Sequence, residues 1–472
     1  MDASFPDLEL SALKMQEMGE ASLNAVIDHI THLPEAPRSN LDHADEIARS
    51  LREGPPEQGT DFKALLDFFM QKVVPVSINT PHPAYMGYIP GGGLYPSAIA
   101  DFIAAATNRF AGAWFAAPAV CRLEANVLEW FARWMGYPES ARGILTSGGS
   151  LANFSAIVAA RKALLGDDLA RGTLYLSNQT HHSVMKAAML AGIPERNLRI
   201  LEADDHFRAV PERFEQAIRR DQQAGLKPFL LVGNAGTTNT GTVDPIADLS
   251  ALAQQYGLWF HVDAAYGGFF NLCEAGHKKL ADIHRSDSMV LDPHKGLFVP
   301  YGTGSLLVRE GEKLRQAHAL EAEYLQDHAV PEGEVNFADY SPELSRMYRG
   351  LRVWLPLKLY GVQAFRENLS EKLQLTRWMY QRFLEQPEFE CFTEPDLSVI
   401  AFRVRPKRGE VDAFNRKLLS AIVESKKLFL SSTRLNGAFA IRVCILSFRT
   451  HQREVEEAFE VIHSMARKLL DE

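Results

Sequence analysis

The sequence predicts an α/β protein: a mainly parallel sheet covered on both faces, preceded by a helical arm and followed by a small α+β domain. Between about 86 and 360, apolar runs of strand length alternate with stretches whose apolar residues recur at helical spacing. Parallel strands need long crossovers, and helices of this length supply them. Beyond about 361 the order becomes helix, strand, helix, two strands, helix. The expected organisation is therefore an arm over 1–85, a large α/β domain over 86–360 and a small α+β domain over 361–472.

In the arm, residues 8–33 carry apolar side chains at helical spacing, and Asp61 stands where it can cap a helix that runs to Val74 before Pro75 stops it. Such an arm cannot bury its own apolar face, so a second subunit is the expected cover. In the large domain strands are expected over 174–176, 229–232, 258–262, 288–291 and 304–308, with helices over 151–165, 184–191, 210–223 and 246–256. In the small domain helices are expected over 362–385, 411–425 and 454–470. A strand is expected over 398–404, and two more meet at Asn436-Gly437, a hairpin signal.

Composition narrows the function. The chain has 472 residues, too many for one core, and its 46% hydrophobic and 23% charged residues are those of an ordinary soluble protein. With 50 basic against 59 acidic residues the net charge is −9, and no Lys/Arg cluster offsets it, which argues against nucleic acid as a partner. Cys121, Cys273, Cys391 and Cys444 lie far apart without metal-ligand spacing; they read as reduced thiols of a cytoplasmic protein, and no metal is expected. The first twenty residues are acidic and lack the apolar core of a signal peptide. The most apolar stretch, 98–120, is interrupted by Asp101, Asn108 and Arg109, so no membrane span is expected.

The chemistry gathers at SMVLDPHKG, residues 288–296, where a short apolar strand breaks at Asp292-Pro293 and presents His294 and Lys295 on the turn beyond. A lysine among apolar neighbours is partly desolvated, so its amine gives up a proton and attacks a carbonyl. Gly148-Gly149-Ser150 stands directly before an amphipathic helix, where N–H groups would face an anion at the positive helix end. Asp263 ends an apolar strand and is followed by two alanines, so it can approach a flat ring closely with Ala265 against one face. His181, in NQTHHSV, can stack on the other face, and Thr238, in GTTNTG at a further strand end, can bond a polar edge. Singly, each has a plainer reading: a lysine that snorkels to water, a serine-capped turn, an aspartate capping a turn, a structural histidine, a threonine-rich turn. Together they supply an anion site, a carboxylate, a flat base and an amine. That is the set pyridoxal 5′-phosphate (PLP) requires, with Lys295 as its Schiff-base lysine and a buried carboxylate keeping its ring nitrogen protonated.

From about 83 to 450 the sequence resembles the group II PLP-dependent amino-acid decarboxylases, relatives of the aromatic amino-acid and glutamate decarboxylases. The resemblance rests most on HVDAAYGG and DPHK, with GYIPGGGLYP, TSGGSLAN, THHSV, GTTNTGTVDP and RMYRGLRVW in support. It implies the fold-type I, aspartate-aminotransferase-like architecture with a seven-stranded sheet, and a homodimer with its active sites at the interface. It also implies Lys295 as the PLP lysine, Asp263 at the pyridine nitrogen, His181 and Ala265 on the ring faces, and Thr238 as a polar neighbour. Gly148, Gly149, Ser150 and His294 would surround the phosphate. Arg442 is proposed as a substrate anchor, with a structural ion pair as the alternative.

The sequence also departs from that family. Aromatic decarboxylases carry a loop tyrosine that protonates Cα after CO2 leaves; counting back without gaps from Arg349-Gly350-Leu351 places Phe337 there, with Tyr340 three residues on. Relatives with phenylalanine at this position can release an aldehyde, ammonia and hydrogen peroxide instead of an amine. Gly91-Gly92-Gly93 and Gly112 replace bulkier residues and imply a roomier pocket, with Tyr88 and Phe110 as remaining ring contacts. Gly296 follows the lysine where many relatives have tryptophan. The expected reaction is decarboxylation of an L-amino acid to an amine, with Tyr340, His181 or water returning the proton. Oxidative aldehyde formation, another carbon–carbon lysis, transamination or a silent PLP-binding scaffold stand as alternatives.

Overall fold

The architecture follows from five strands that are buried on both faces and so read as unbroken apolar runs. The computed structural model describes residues 7–319 and 330–471. Its main sheet contains β1 (Arg142–Thr146), β2 (Gly172–Ser177), β3 (Leu198–Leu201), β4 (Lys227–Asn234), β5 (Trp259–Asp263), β6 (Ser288–Leu291) and β7 (Gly304–Val308), in the order β1-β7-β6-β5-β4-β2-β3. Only β7 runs against its neighbours; the pairs β6·β5, β5·β4, β4·β2 and β2·β3 are parallel. Being antiparallel to β7, both β1 and β6 point the same way, so the carboxyl ends of β1, β2, β4, β5 and β6 share one edge of the sheet.

The five expected strands are present, and two more, β1 and β3, join them. β3 is an edge strand with no fully buried residue, because Arg199 interrupts its apolar run, and β1 has only Ile144 and Leu145 as large apolar residues. The helices Gly149–Leu164, His182–Leu190, Pro211–Gln223 and Ile246–Tyr256 are the crossovers, each within about two residues of the expected bounds.

In the arm, Ser11 caps the helix Ala12–Thr31 by accepting from the Lys14 N–H at 3.3 Å, and Asp61 caps Phe62–Phe68 by accepting from Ala64 at 3.1 Å. A π turn, Phe69–Val73, replaces the last turn of the expected helix. No residue of the helix Ala12–Thr31 is buried, which leaves Leu13, Leu23 and Ile27 exposed.

The C-terminal part has its own antiparallel sheet, ordered β10-β11-β9-β8, from β8 (Phe389–Cys391), β9 (Val399–Val404), β10 (Ser431–Leu435) and β11 (Ala438–Cys444). Asn436 and Gly437 take φ of 49° and 81°, the pair of left-handed residues that a tight two-residue hairpin demands. Its core, around Phe383, Phe402, Phe459 and Ile441, is separate from that of the large sheet. The long helix Gly350–Leu384 joins the two and breaks at Gly361, φ 73° and ψ 158°, so the helix expected from 362 is its second half. Among the described residues no helix is long and apolar enough to cross a membrane, and no His/Cys/Asp/Glu group could hold a metal.

One ion pair lies wholly inside this assembly. The Arg346 guanidinium lies 2.7 Å from the Glu124 carboxylate with neither side chain exposed, and it donates to the Leu145 carbonyl at 2.9 Å, on the strand that leads into Ser147-Gly148. Removing one partner strands a buried charge. Glu124→Leu should therefore cost about 3–5 kcal/mol, read as a drop in the midpoint of urea unfolding. Glu274→Ala, which breaks an exposed pair with Lys278, should leave that midpoint unchanged.

Candidate active site

At the shared carboxyl edge of the sheet lies a cavity of about 410 Å³, lined from five strand ends. Ser147 to Ser150 follow β1, His181 follows β2, Gly236 to Thr238 follow β4, Asp263 closes β5, and Asp292, His294 and Lys295 follow β6. Such an edge is where an open parallel sheet places its ligands.

The anion end is built from backbone. The helix Gly149–Leu164 has Gly148 as its N-cap and no side-chain cap, and the N–H groups of Gly149 and Ser150 take no bond among the described residues. They face the cavity with the positive end of a sixteen-residue helix behind them. Glycine at 149 is required by close packing, since a Cβ there would lie 3.0 Å from an Asp292 carboxylate oxygen.

Lys295 sits on a short helix, Pro293–Gly296, with its Nζ 2.9 Å from Asp292 Oδ2. Asp292 is 2% exposed, and its other oxygen is buried without a partner. Burial alone would lower the lysine's pKa; the Asp292 charge and hydrogen bond, with Asp263 behind them, more than offset it, and the ammonium is held above its ordinary range. This corrects the expectation of a lysine neutralised by apolar neighbours. His294 donates from Nδ1 to the Thr303 carbonyl at 2.6 Å, and burial lowers its pKa.

Asp263 accepts from the Ala265 N–H at 3.1 Å and from Asn153 Nδ2 at 3.2 Å, so both its oxygens are fixed. His181 caps the helix His182–Leu190: its Nδ1 accepts from the Ser183 N–H at 3.3 Å and lies 2.8 Å from Ser183 Oγ. Burial lowers the His181 pKa, Asp263 opposing it.

Gly148, Gly149, Ser150, His181, Thr238, Asp263, Ala265, His294 and Lys295, all singled out from the sequence, line this one cavity. A model of the pyridoxal-dependent decarboxylase conserved domain matches residues 46–405. The chain belongs to this family. An aromatic-L-amino-acid decarboxylase of Bacillus atrophaeus is 34% identical to this decarboxylase over 98% of both chains. A phenylacetaldehyde synthase of Arabidopsis thaliana is 28% identical over 97% of this chain and 96% of its own. A solved structure of Oryza sativa TDC with PLP and tryptamine superposes with a TM-score of 0.93 at 26% identity, covering 99% of this chain and all of the other. The fold is accordingly fold-type I and the cofactor is PLP. The residues fit it: a helix N-terminus with free N–H groups for a phosphate, a fixed carboxylate for a ring nitrogen, and an amine on the same cavity wall.

Other expected site residues of the decarboxylase lie elsewhere. Arg442 is 3% exposed and spends its guanidinium on the Thr238 carbonyl, the Asn239 carbonyl at 2.9 Å and Ser431 Oγ at 2.9 Å, so it clamps a loop rather than anchoring substrate. Phe337 is fully buried with the Arg346 guanidinium 4.8 Å over its ring, beside Arg142 and Gly143 at the opposite end of β1. Tyr340 is half-buried, with Arg142, Arg315 and Glu312 as its charged neighbours. Neither reaches the cavity of its own chain. Tyr88 and Phe110 are 59% and 40% exposed and do not line it either.

The glycines do not make the pocket roomier. A Cβ on Gly91 would lie 2.0 Å from the His294 carbonyl oxygen, one on Gly92 2.7 Å from Ser447 Oγ, and one on Gly112 2.4 Å from the Leu344 carbonyl oxygen. A Cβ on Gly296 would likewise lie 2.7 Å from Phe269 Cβ. Residues that sequence reasoning missed are Asn153, Ser183 and Asp292. Asn153 lies four residues beyond Gly149 on the same helix face, a spacing that could have found it.

Because the amine must be neutral to attack an aldehyde, and Asp292 holds it protonated, Asp292→Asn should lower the pKa of Lys295. The rate at which cofactor-free protein forms its coloured PLP complex should then rise at lower pH than in the wild type. Stopped-flow absorbance across a pH series checks this; identical profiles would remove Asp292 from that role.

Proposed function

We propose that this decarboxylase removes the α-carboxylate of an aromatic L-amino acid as CO2 and releases the amine. The observation that carries the reading is one cavity holding Lys295, Asp263 and His181 in which Lys295 is the only lysine or arginine among the described lining residues. An acidic side chain would need a second cation there, and Arg442, the nearest candidate from the sequence, is already spent. An aromatic side chain needs none, in keeping with the relative from Bacillus atrophaeus.

In this reading Lys295 forms the covalent link to PLP, Asp263 keeps a proton on the ring nitrogen, Ala265 and His181 flank the ring, and Gly148, Gly149, Ser150 and His294 hold the phosphate. Thr238 contacts a polar edge. Bound there, PLP supplies a sink for the electron pair that CO2 leaves behind. The protein decides which bond breaks by holding the carboxylate out of the ring plane. His181, whose Nδ1 accepts from Ser183, carries its proton on Nε2. Of the two side chains expected from the sequence as donors, His181 and Tyr340, it is the one among the described lining residues.

The active unit is taken to be a homodimer with its sites at the interface and residues 1–85 as the dimerisation segment. Exposed apolar side chains support this: Leu13, Leu23 and Ile27 on the arm, then Phe68, Phe69, Phe102 and Phe110. A second chain would also give Tyr88, Phe110 and the loop bearing Tyr340 a cavity other than their own to complete. The aldehyde-forming alternative rests on Phe337 standing for the loop tyrosine, and on the phenylacetaldehyde synthase among the relatives. The burial of Phe337 beneath Arg346 counts against it, because a side chain sealed in the core cannot serve a loop that meets substrate.

Purified protein given phenylalanine, tyrosine, tryptophan, glutamate and aspartate should turn over aromatic substrates only, with amine equal to CO2 and no oxygen uptake. Aldehyde with peroxide would replace the amine reading, and turnover of glutamate would overturn the substrate class. Light scattering should give twice the chain mass.

A further inference from the structure

Asp263 and His181 approach the cavity from different strand ends, yet one amide serves both. Asn153 Nδ2 lies 3.2 Å from Asp263 Oδ2 and 3.1 Å from Ser183 Oγ, and Ser183 Oγ lies 2.8 Å from His181 Nδ1. Behind Asn153 its Oδ1 meets His261 Nε2 at 2.9 Å, while His261 Nδ1 lies 2.8 Å from Ser288 Oγ, which also accepts from Trp259 Nε1 at 2.8 Å.

One proton assignment satisfies every contact. An indole N–H only donates, so Ser288 accepts it; a neutral His261 that gives its Nε2 hydrogen to the Asn153 oxygen has a bare Nδ1, and the Ser288 hydroxyl proton goes there. His261 then carries hydrogen on Nε2 and donates to the Asn153 oxygen, which aims both amide hydrogens forward. Ser183 accepts one of them and gives its hydroxyl proton to His181, leaving the hydrogen of that imidazole on Nε2. Turning the amide over would set its oxygen against the Asp263 carboxylate. Trp259, Ser288, His261, Asn153 and Ser183 are all at most 4% exposed, so water does not compete. Burial holds His261 down to about 4, which keeps it neutral and the relay intact over the physiological range.

We propose that Asn153 is a positioning residue, aimed by His261, that fixes with one amide both the carboxylate meeting the PLP ring nitrogen and, through the Ser183 hydroxyl, the imidazole covering the ring. This rests on the site assignment above. The two are separable, because Lys295→Ala tests that assignment and leaves the relay untouched.

Three measurements test it. Asn153→Leu removes both donors at similar volume and should weaken PLP binding, followed by fluorescence, by roughly ten- to a hundredfold, the worth of a hydrogen bond to a charged group. Ser183→Ala, a smaller change, removes a donor that favours neutral His181. In cofactor-free protein labelled with ¹⁵N-histidine, His181 should then titrate at higher pH than in the wild type, while the backbone N–H of residue 183, which remains, keeps the ring hydrogen on Nε2. Asp263, His182, Lys295 and Asp292, the other charges that face His181, are unchanged in that variant. Wild-type PLP affinity in Asn153→Leu, or a wild-type titration of His181 in Ser183→Ala, overturns the inference; where Asn153→Leu fails to fold, Ser183→Ala decides. PLP binding by Lys295→Ala equal to the wild type, with the same colour, would overturn the site assignment and this inference with it.

Discussion

A lysine ammonium at the end of β6 is held 2.9 Å from the buried Asp292 carboxylate, and much of the local backbone packs around that pair. A Cβ on Gly149 would lie 3.0 Å from the Asp292 carboxylate, and one on Gly304 would lie 2.5 Å from the Gly148 backbone and 2.8 Å from Asp292. Gly91 is glycine because its backbone lies on the carbonyl of His294. His294 in turn is tied through the Thr303 carbonyl to a loop that Arg352 grips, donating to Thr303 Oγ1 at 2.7 Å, the Tyr301 carbonyl at 3.0 Å and Asp101 at 2.7 Å. The glycines and arginines of several motifs thus have one task, which is to enclose one charge.

The smaller sheet participates in the same enclosure. Arg442 on β11 and Thr433 on β10 hold the loop that carries Thr238, the latter by donating to Asn239 at 2.8 Å. Asp396, ahead of β9, accepts from the Val243 N–H at 3.0 Å and pairs with Arg208 and Lys279 at 2.9 and 2.7 Å. Tyr266, which lines the cavity, bonds Ser398 through its hydroxyl at 2.7 Å. The Thr238 wall is therefore set by contacts between two separately packed cores, and a change far out in the smaller one is transmitted through these few polar links.

What could be read in the sequence was whatever depends on local pattern. Continuous apolar runs announced β2, β4, β5, β6 and β7, and the residues at or just beyond their carboxyl ends named the cavity lining, because strand ends place side chains without help from distant chain. β1 and β3 were missed, being too short or half exposed to carry a period. The misplaced residues share a different cause. Arg442, Gly91 and Gly112 owe their identity to backbone atoms hundreds of residues away or across a turn, and an arginine that meets three backbone or hydroxyl acceptors looks, in one dimension, like an arginine that waits for a substrate. Phe337 was placed by counting along a loop, and nothing in that count shows that its ring is buried beneath Arg346.

Charge balance carries the reading of the substrate one step further. The cavity wall holds two carboxylates, Asp263 and Asp292, against the single ammonium of Lys295, and burial lowers the pKa of both His181 and His294, which favours their neutral forms. In the proposed reading the helix N-terminus at Gly149 and Ser150 takes the anionic end of the cofactor. A substrate with an acidic side chain would add a further negative charge to a buried space in which negative groups already outnumber positive ones, and like charges at short range in a poorly hydrated site repel strongly. A neutral ring adds none, and this is the electrostatic ground on which the proposed preference for aromatic substrates stands.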